Sequence, residues 1–139
     1  MKLLIDTNII LDVLLKREQF CTPAIEVLNL SDRDDVEEYV SASAFTDIYY
    51  IAYRTIKDKE KVKTLLKNLL AVVRIAAVSE QEIKYALNTE WTDFEDSVQH
   101  AVAINERMDG IVTKNATDYK NAKISVWSPE QVLKVVKEM

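Results

Sequence analysis

Apolar residues along the chain follow two alternating patterns. Short apolar runs predict five strands, at 2–5, 39–42, 72–78, 110–113 and 124–127. Between them, apolar residues spaced three and four apart predict helices over 9–15, 22–30, 45–56, 59–70 and 80–87, a long helix that ends near 107, and a last helix that begins at 128–130. Strands that alternate with helices are typical of a parallel sheet with right-handed crossovers, so the pattern predicts the α/β class.

Polar residues mark the ends of several of these elements. Ser128 followed by Pro129 is a favourable start for the last helix. Thr92, with Glu95 three residues later, predicts a capping box at the start of the long helix. The acid-rich connection 31–38 is expected to face water.

The composition narrows the class of protein. A chain of 139 residues, 48% of them apolar, is expected to form a single domain over 1–139. No apolar run approaches the roughly 20 residues that cross a bilayer, and no signal-like segment opens the chain, so a cytoplasmic protein without membrane contact is expected. The one cysteine excludes an internal disulfide, and with a single histidine it excludes a Cys/His zinc site.

Charge and glycine content exclude further classes. A net charge of −5 argues against a protein that coats nucleic acid, but a nuclease stays possible because clustered acids that hold metal ions lower the net charge. The single glycine, Gly110, is more restrictive. Loops that bind phosphate through their backbone need several glycines, so P-loop and dinucleotide-binding proteins are excluded.

Four aspartates are expected to meet at one edge of the sheet. Parallel strands end at the edge where the following helices begin, and open α/β sheets bind their ligands there. The four are Asp6 after the first strand, Asp47 just inside the helix after the second, Asp96 at the start of the long helix, and Asp118 after the fourth strand. Taken singly, each has an ordinary explanation, since Asp6 or Asn8 would serve as a helix cap and Asp118 as a turn residue.

A group of carboxylates at one edge has a chemical consequence. Carboxylates within a few ångströms repel one another, so some must be protonated or neutralised by a cation. With oxygen ligands only, the fitting cations are Mg²⁺ and Mn²⁺. Such an ion lowers the pKa of a bound water and stabilises the charge that builds on a phosphate, as phosphodiester hydrolysis requires.

Four segments contain the candidate acids and their polar neighbours. They are Leu-Ile-Asp-Thr-Asn at 4–8, Ser-Ala-Ser-Ala-Phe-Thr-Asp at 41–47, Asp-Phe-Glu-Asp at 93–96 and Ile-Val-Thr-Lys-Asn-Ala-Thr-Asp-Tyr at 111–119. Together they resemble the PIN domain family, and most of all its small bacterial toxins of the VapC type. The resemblance implies a three-layer α/β/α sandwich around a central parallel sheet. It also implies a Mg²⁺- or Mn²⁺-dependent endoribonuclease that is the toxin of a toxin–antitoxin pair, with an RNA substrate, an antitoxin protein as partner and a homodimeric state.

The resemblance assigns roles to individual residues. The candidate metal ligands and catalytic acids are Asp6, Asp47, Asp96 and Asp118, with Asp93 as an additional acid in a supporting role. Most active family members carry glutamate where this chain has Asp47, and the shorter side chain would leave the metal bound through water. The candidate polar residues that orient acids or substrate are Asn8, Thr113 and Asn115.

Several other side chains have both a functional and an ordinary interpretation. His100 lies four residues after Asp96, but a lone helical histidine is more often a surface residue. Trp91 is a candidate for substrate contact, and Lys114 a candidate for guiding a phosphate backbone. The tyrosines at 49, 50 and 53 are more often core or interface residues than platforms for RNA bases.

Two other classes of protein fit parts of the pattern. A PIN-like protein without catalysis would serve as a scaffold that binds RNA or protein, and the departure at Asp47 keeps this alternative open. A response-regulator receiver is another small parallel α/β domain with an acidic pocket, but it needs an aspartate after its third strand. This chain has Ser79 and Glu80 there.

Overall fold

The computed structural model describes all 139 residues, which form five strands and seven α-helices. The strands are β1 (Lys2–Ile5), β2 (Glu37–Ser41), β3 (Arg74–Ala76), β4 (Gly110–Val112) and β5 (Ser125–Trp127). The helices are α1 (Thr7–Leu14), α2 (Cys21–Asn29), α3 (Ala42–Ile56), α4 (Lys59–Leu69), α5 (Glu80–Leu87), α6 (Phe94–Asn105) and α7 (Pro129–Lys137). Short 3-10 helices lie at Leu30–Asp32 and Ala116–Tyr119. None of the helices combines the length and the apolar character that crossing a bilayer requires.

All strands of the sheet are parallel, in the order β3-β2-β1-β4-β5. The central strand β1 therefore has β2 on one side and β4 on the other. The chain winds outward from β1 to β3 and then, in the opposite direction, from β4 to β5. The carboxyl end of β1 lies where the winding reverses, which is the usual place for a ligand crevice in such sheets.

Helices cover both faces of the sheet. Because successive side chains of a strand point to opposite faces, Leu3 and Ile5 belong to one apolar cluster and Leu4 to the other. The larger cluster of 20 buried residues packs α1, α2, α3, α4 and α7 on the sheet, and the smaller cluster of nine packs α5 and α6 on the other face. The predicted three-layer α/β/α sandwich with a central parallel sheet is confirmed.

Two helices begin earlier than the apolar pattern indicates, because polar residues cap them. The Thr7 N–H donates to the Asp6 carboxylate at 2.7 Å, so α1 starts at once after β1. The Ala44 N–H donates to Ser41 at 3.2 Å, so α3 starts at 42 rather than 45. Asp47 consequently lies in the second turn of α3.

The start of the long helix was predicted wrongly. Asp93, not Thr92, caps α6, and its carboxylate accepts from the Asp96 N–H at 2.9 Å. Glu95 therefore does not reach back to a cap. The predicted start of the last helix is confirmed, since Ser128 caps α7 and Pro129 is its first residue.

The expectation that 31–38 faces water is wrong at its end. Strand β2 begins at Glu37, and Glu38 is only 2% exposed. Its side chain lies on the same face as that of Val40, toward the larger cluster, and neither of its carboxylate oxygens has a hydrogen-bond partner. Burial raises the pKa of Glu38 to about 9.

The only glycine is required by the packing of the edge strand. A Cβ on Gly110 would overlap the ring of Trp127 and lie 3.0 Å from the carbonyl oxygen of Ser125. Both residues belong to β5, so the glycine lets β5 pair closely with β4. Its role is steric, because its backbone φ is not positive.

Candidate active site

Asp6 is the centre of the polar residues at the carboxyl edge of the sheet. Its backbone N–H donates to the Val112 carbonyl at 2.9 Å, which extends the pairing of β1 with β4 by one residue. Its carboxylate is buried and accepts from Gln99 Nε2 at 2.8 Å and from the Thr113 hydroxyl at 2.7 Å, in addition to the Thr7 N–H. Burial raises the pKa of Asp6, although these hydrogen bonds oppose the shift.

The residues predicted to orient the acids surround Asp6 on the β4 side. Thr113 is fully buried, and its hydroxyl accepts from Asn8 Nδ2 at 3.3 Å and from the Asn115 backbone N–H at 3.1 Å. The side-chain oxygen Oδ1 of Asn8 accepts from the backbone N–H of Lys114 at 3.3 Å. Asn8 and Thr113 thus tie α1 to the loop after β4, whereas Asn115 contributes through its backbone.

Asp96 reaches the same place from α6. Its Oδ1 accepts from the Tyr119 hydroxyl at 3.2 Å, and that hydroxyl also lies 3.5 Å from Asp6 Oδ2. Gln99, one turn further along α6, contacts the Tyr119 hydroxyl at 3.3 Å. The two aspartates therefore share one buried tyrosine as their neighbour. Burial and then the charges of Asp6 and Asp93 raise the pKa of Asp96 to about 7.

Asp47, another of the four predicted acids, has Glu95 as its neighbour, a residue for which the sequence predicted only a capping role. Glu95, in the first turn of α6, lies beside Asp47 of α3. Partial loss of solvation at this edge, and then the charge of Asp47, raise the pKa of Glu95 to about 7. The charge of Asp6 raises it further. Glu95 is thus the acid that the sequence reasoning missed.

Asp118 and Asp93 lie at the margin of this group. Asp118 is exposed in the 3-10 helix after β4, and its charge is close enough to raise the pKa of Asp96. Asp93 caps α6 and also acts on Asp96 through its charge, in keeping with a supporting position.

The acids are neighbours, but they do not form a finished ligand shell. No three histidine, cysteine, aspartate or glutamate side chains of the chain are gathered closely enough to hold a metal ion as they stand. None of the acids at this edge takes part in a salt bridge with a lysine or arginine. Their charges are therefore compensated only by protons and by neutral donors.

Lys114, a candidate for guiding phosphate, is held by a buried acid. Its ammonium lies 2.8 Å from Asp12 Oδ2, and Arg17 lies 3.2 Å from Asp12 Oδ1. Asp12 is fully buried, and the Lys114 ammonium also lies 3.8 Å from the centre of the Phe20 ring. Two cations on one carboxylate leave a net positive charge around Asp12.

His100 and Trp91 occupy the other flank. The expectation of a surface histidine is wrong, because His100 is fully buried and its Nε2 accepts from the Lys123 N–H at 3.0 Å. Burial lowers the pKa of His100. Trp91 packs on His100 with ring centres 4.8 Å apart and on Tyr119 at 5.7 Å.

A family model described as PIN domain matches residues 2–117. The chain belongs to the PIN domain family. The match includes the segments that carry Asp6, Asp47 and Asp96, and it ends one residue before Asp118. Membership in this family removes the receiver alternative. No curated protein matches the sequence.

Solved structures share the fold of this PIN domain. VapBC2 from Rickettsia felis, bound to a DNA fragment from the promoter, matches with a TM-score of 0.68 and 18% identity over 92% of this chain and 98% of that one. A toxin–antitoxin complex from Klebsiella pneumoniae matches with a TM-score of 0.67 and 18% identity over 91% and 96%. VapC20 from Mycobacterium tuberculosis, described as a sarcin-ricin loop cleaving toxin, matches with a TM-score of 0.62 and 14% identity over 78% and 86%.

Proposed function

We propose that this PIN domain is a Mg²⁺- or Mn²⁺-dependent endoribonuclease and the toxin of a toxin–antitoxin pair. The observation that carries the proposal is the group of acids from β1, α3, α6 and the loop after β4 at one edge of the sheet. Family membership supports a nuclease toxin in general. The cleaving activity of the M. tuberculosis relative supports RNA as the substrate.

The chemistry of this edge suits a hard divalent cation. The side-chain atoms that this edge offers as metal ligands are carboxylate oxygens, which Mg²⁺ and Mn²⁺ prefer. Loss of solvation raises the pKa values of Asp6, Glu95 and Asp96, and the charge of Asp6 adds to the shift at Glu95 and Asp96. A cation would remove that repulsion. The ion would be held by Asp6 and Asp96, with Asp47, Glu95 and Asp118 closing in from the sides. When bound, it would activate water and stabilise charge on the phosphate.

The other polar residues of the site fix the position of the Asp6 carboxylate. Thr113 and Gln99 each fix one oxygen of Asp6, and their hydrogen bonds leave it a single orientation. Asn8 keeps the Thr113 hydroxyl in place. Lys114 and Arg17, both paired with Asp12, leave a net positive charge that would attract the backbone of an RNA strand.

Purified protein tests the proposal directly. The wild-type chain is expected to cleave single-stranded RNA in the presence of Mn²⁺ or Mg²⁺ and to stop when EDTA is added. Asp6→Asn keeps the hydrogen-bonding shape of the side chain but removes its charge, and it should abolish cleavage.

The matched control is Asp34→Asn, which removes a charge from an exposed acid outside the site. It should cleave like the wild type when both proteins are purified identically. Cleavage by Asp6→Asn at the rate of the control would overturn the assignment of the site.

The proposal also includes an antitoxin protein as partner and a homodimer. The structural relatives from R. felis and K. pneumoniae support a partner, since the second is itself a toxin–antitoxin complex. Co-expression with the product of a small neighbouring gene, followed by copurification, tests the partner. Light scattering of the chain alone tests the dimer.

A catalytically inactive scaffold is the alternative, and the lack of a finished three-acid ligand set favours it. Titration with Mn²⁺ separates the two functions, because an enzyme of this kind must bind the ion and lose that binding in Asp6→Asn.

A further inference from the structure

A groove opens beside the acids, on the flank formed by Trp91. It has a volume of about 390 Å³ and is lined by Tyr85, Thr89, Glu90, Trp91, Asn121 and Lys123. Its size is in the range of small-ligand sites, roughly 300 to 1,000 Å³. None of the six lining residues has a role in the proposed hydrolysis.

His100 holds the two walls of this groove together. The walls come from two separate segments, the one around Trp91 and the one around Lys123. Fully buried His100 lies between them, because its ring packs on Trp91 and its Nε2 accepts from the Lys123 N–H at 3.0 Å. Tyr85 packs on the same imidazole, with ring centres 6.3 Å apart.

The lining combines the three kinds of group that recognise a nucleotide. Tyr85 is 38% exposed and Trp91 is partly exposed, so both have aromatic surface available for stacking. Glu90 and Asn121 are exposed and carry groups that can pair with the edge of a base. Exposed Lys123 supplies a charge for a phosphate.

The groove is linked to the acids by one buried side chain, that of Tyr119. Trp91 packs edge-on against Tyr119 with ring centres 5.7 Å apart, and the Tyr119 hydroxyl contacts Asp96 and Asp6. One tyrosine thus separates the floor of the groove from the carboxylates. A nucleotide seated in the groove would place a neighbouring phosphate of the same strand at the acids.

We propose that this groove binds one unpaired base of the RNA strand, next to the phosphate that is cleaved. The proposal rests on the proposed ribonuclease function and adds the place where one base of the substrate strand is held. The Glu90 carboxylate can only accept hydrogen bonds when ionised, so it favours a base edge with adjacent donors. Guanine offers two, and a preference for guanine over uracil at this position follows.

Tryptophan fluorescence reports on the groove directly. The chain has two tryptophans, so Trp127→Phe leaves Trp91 as the only one. Asp6→Asn in the same protein prevents cleavage during the titration. Short single-stranded RNA oligonucleotides containing guanine are expected to quench this fluorescence saturably, and a duplex of the same sequence is expected to leave it unchanged.

Substitutions of Trp91 and Lys123 test which side chains of the groove bind RNA. With fluorescently labelled RNA and the Asp6→Asn protein, Trp91→Ala is expected to weaken binding about tenfold or more, whereas Trp91→Phe keeps a stacking ring and most of the affinity. Lys123→Gln is expected to lower the slope of log K against log salt by about one. Lys137→Gln, which changes an exposed lysine near the end of α7, is the control and should not lower it.

The results distinguish this inference from the ribonuclease itself. Three results would overturn the proposed base-binding role of the groove: RNA binding without quenching of Trp91, equal quenching by the duplex, or an affinity of Trp91→Ala equal to that of its parent. This holds even if the wild type still cleaves RNA in a metal-dependent way. Failure of the wild type both to cleave and to bind RNA would overturn the proposed function, and the groove with it.

Discussion

Replacing Glu38 with glutamine is expected to stabilise the protein, and to do so increasingly as the pH rises. Glu38 lies in the apolar cluster beneath β2 with no partner for either carboxylate oxygen, and burial raises its pKa from 4.5 to about 9. In the folded protein at neutral pH it is therefore protonated, whereas in the unfolded chain it is ionised and hydrated.

The size of the effect follows from proton linkage. Between pH 4.5 and 9 the folded protein binds one proton more than the unfolded chain at this residue, so the free energy of unfolding falls as the pH rises. The slope is about 1.4 kcal/mol per pH unit, which amounts to about 3 kcal/mol at pH 7. Glutamine has almost the same shape and no titration, and it escapes this loss.

Urea unfolding followed by far-UV circular dichroism measures the difference. All other titratable groups are common to the two proteins, so the difference between wild type and Glu38→Gln isolates this carboxyl. It should grow by about 1.4 kcal/mol for each pH unit between about pH 6.5 and 8.5. Glu37→Gln is the matched control, since Glu37 is the exposed neighbour and Tyr39 lowers its pKa. A difference that stays constant with pH would refute the reasoning.

Three further predictions concern the site and the sheet. Tyr119→Phe should weaken Mn²⁺ binding, measured by calorimetry, about tenfold, because Asp96 loses the hydroxyl at 3.2 Å that orients it. In an Asp96→Asn background the same substitution should cause no further loss, and an equal loss there would contradict a role through Asp96. Mn²⁺ affinity should rise between about pH 6 and 8, since the ion must displace protons from Glu95 and Asp96, each with a pKa of about 7, and a flat profile would contradict this. Gly110→Ala should lower the free energy of unfolding by about 1 to 3 kcal/mol in urea, because its Cβ meets the Trp127 ring, and an unchanged midpoint would show that β5 can move aside.

The architecture could be predicted because it depends on regular patterns. The run Leu3–Ile5 has no polar interruption, and only a strand covered on both faces accommodates it. The meeting of Asp6 and Asp96 followed from topology alone, since parallel strands bring their carboxyl ends to one edge. Neither conclusion needed knowledge of side-chain packing.

The errors arose where tertiary contacts override local pattern. Glu38 lies in an acid-rich stretch whose pattern is typical of a solvated loop, and no local signal shows that the strand begins at Glu37, two residues before the predicted start. His100 was expected at the surface because a lone histidine in a helix is more often a surface residue. In the structure, residues 97–103 of α6 are all buried, because β4, α5 and the loop before β5 surround this helix.

The supporting residues of the site were missed for a related reason. Gln99 and Tyr119 are uncharged, so charge patterning gives no hint of them, yet both are buried beside the acids. Gln99 lies three residues after Asp96, a spacing that places two side chains on one helix face, and this signal could have found it. Glu95 was assigned to a capping box, an assignment that depended on a helix start misplaced by one residue.

The strand order also determines when the acid site is assembled during synthesis. Asp6 follows the first strand, but Gln99 and Thr113, which hold its carboxylate, come 93 and 107 residues later in the chain. Thr113 is in turn tied to the edge strand, because its N–H donates to the Trp127 carbonyl at 2.9 Å. A nascent chain therefore has no assembled acid centre until β5 has been made.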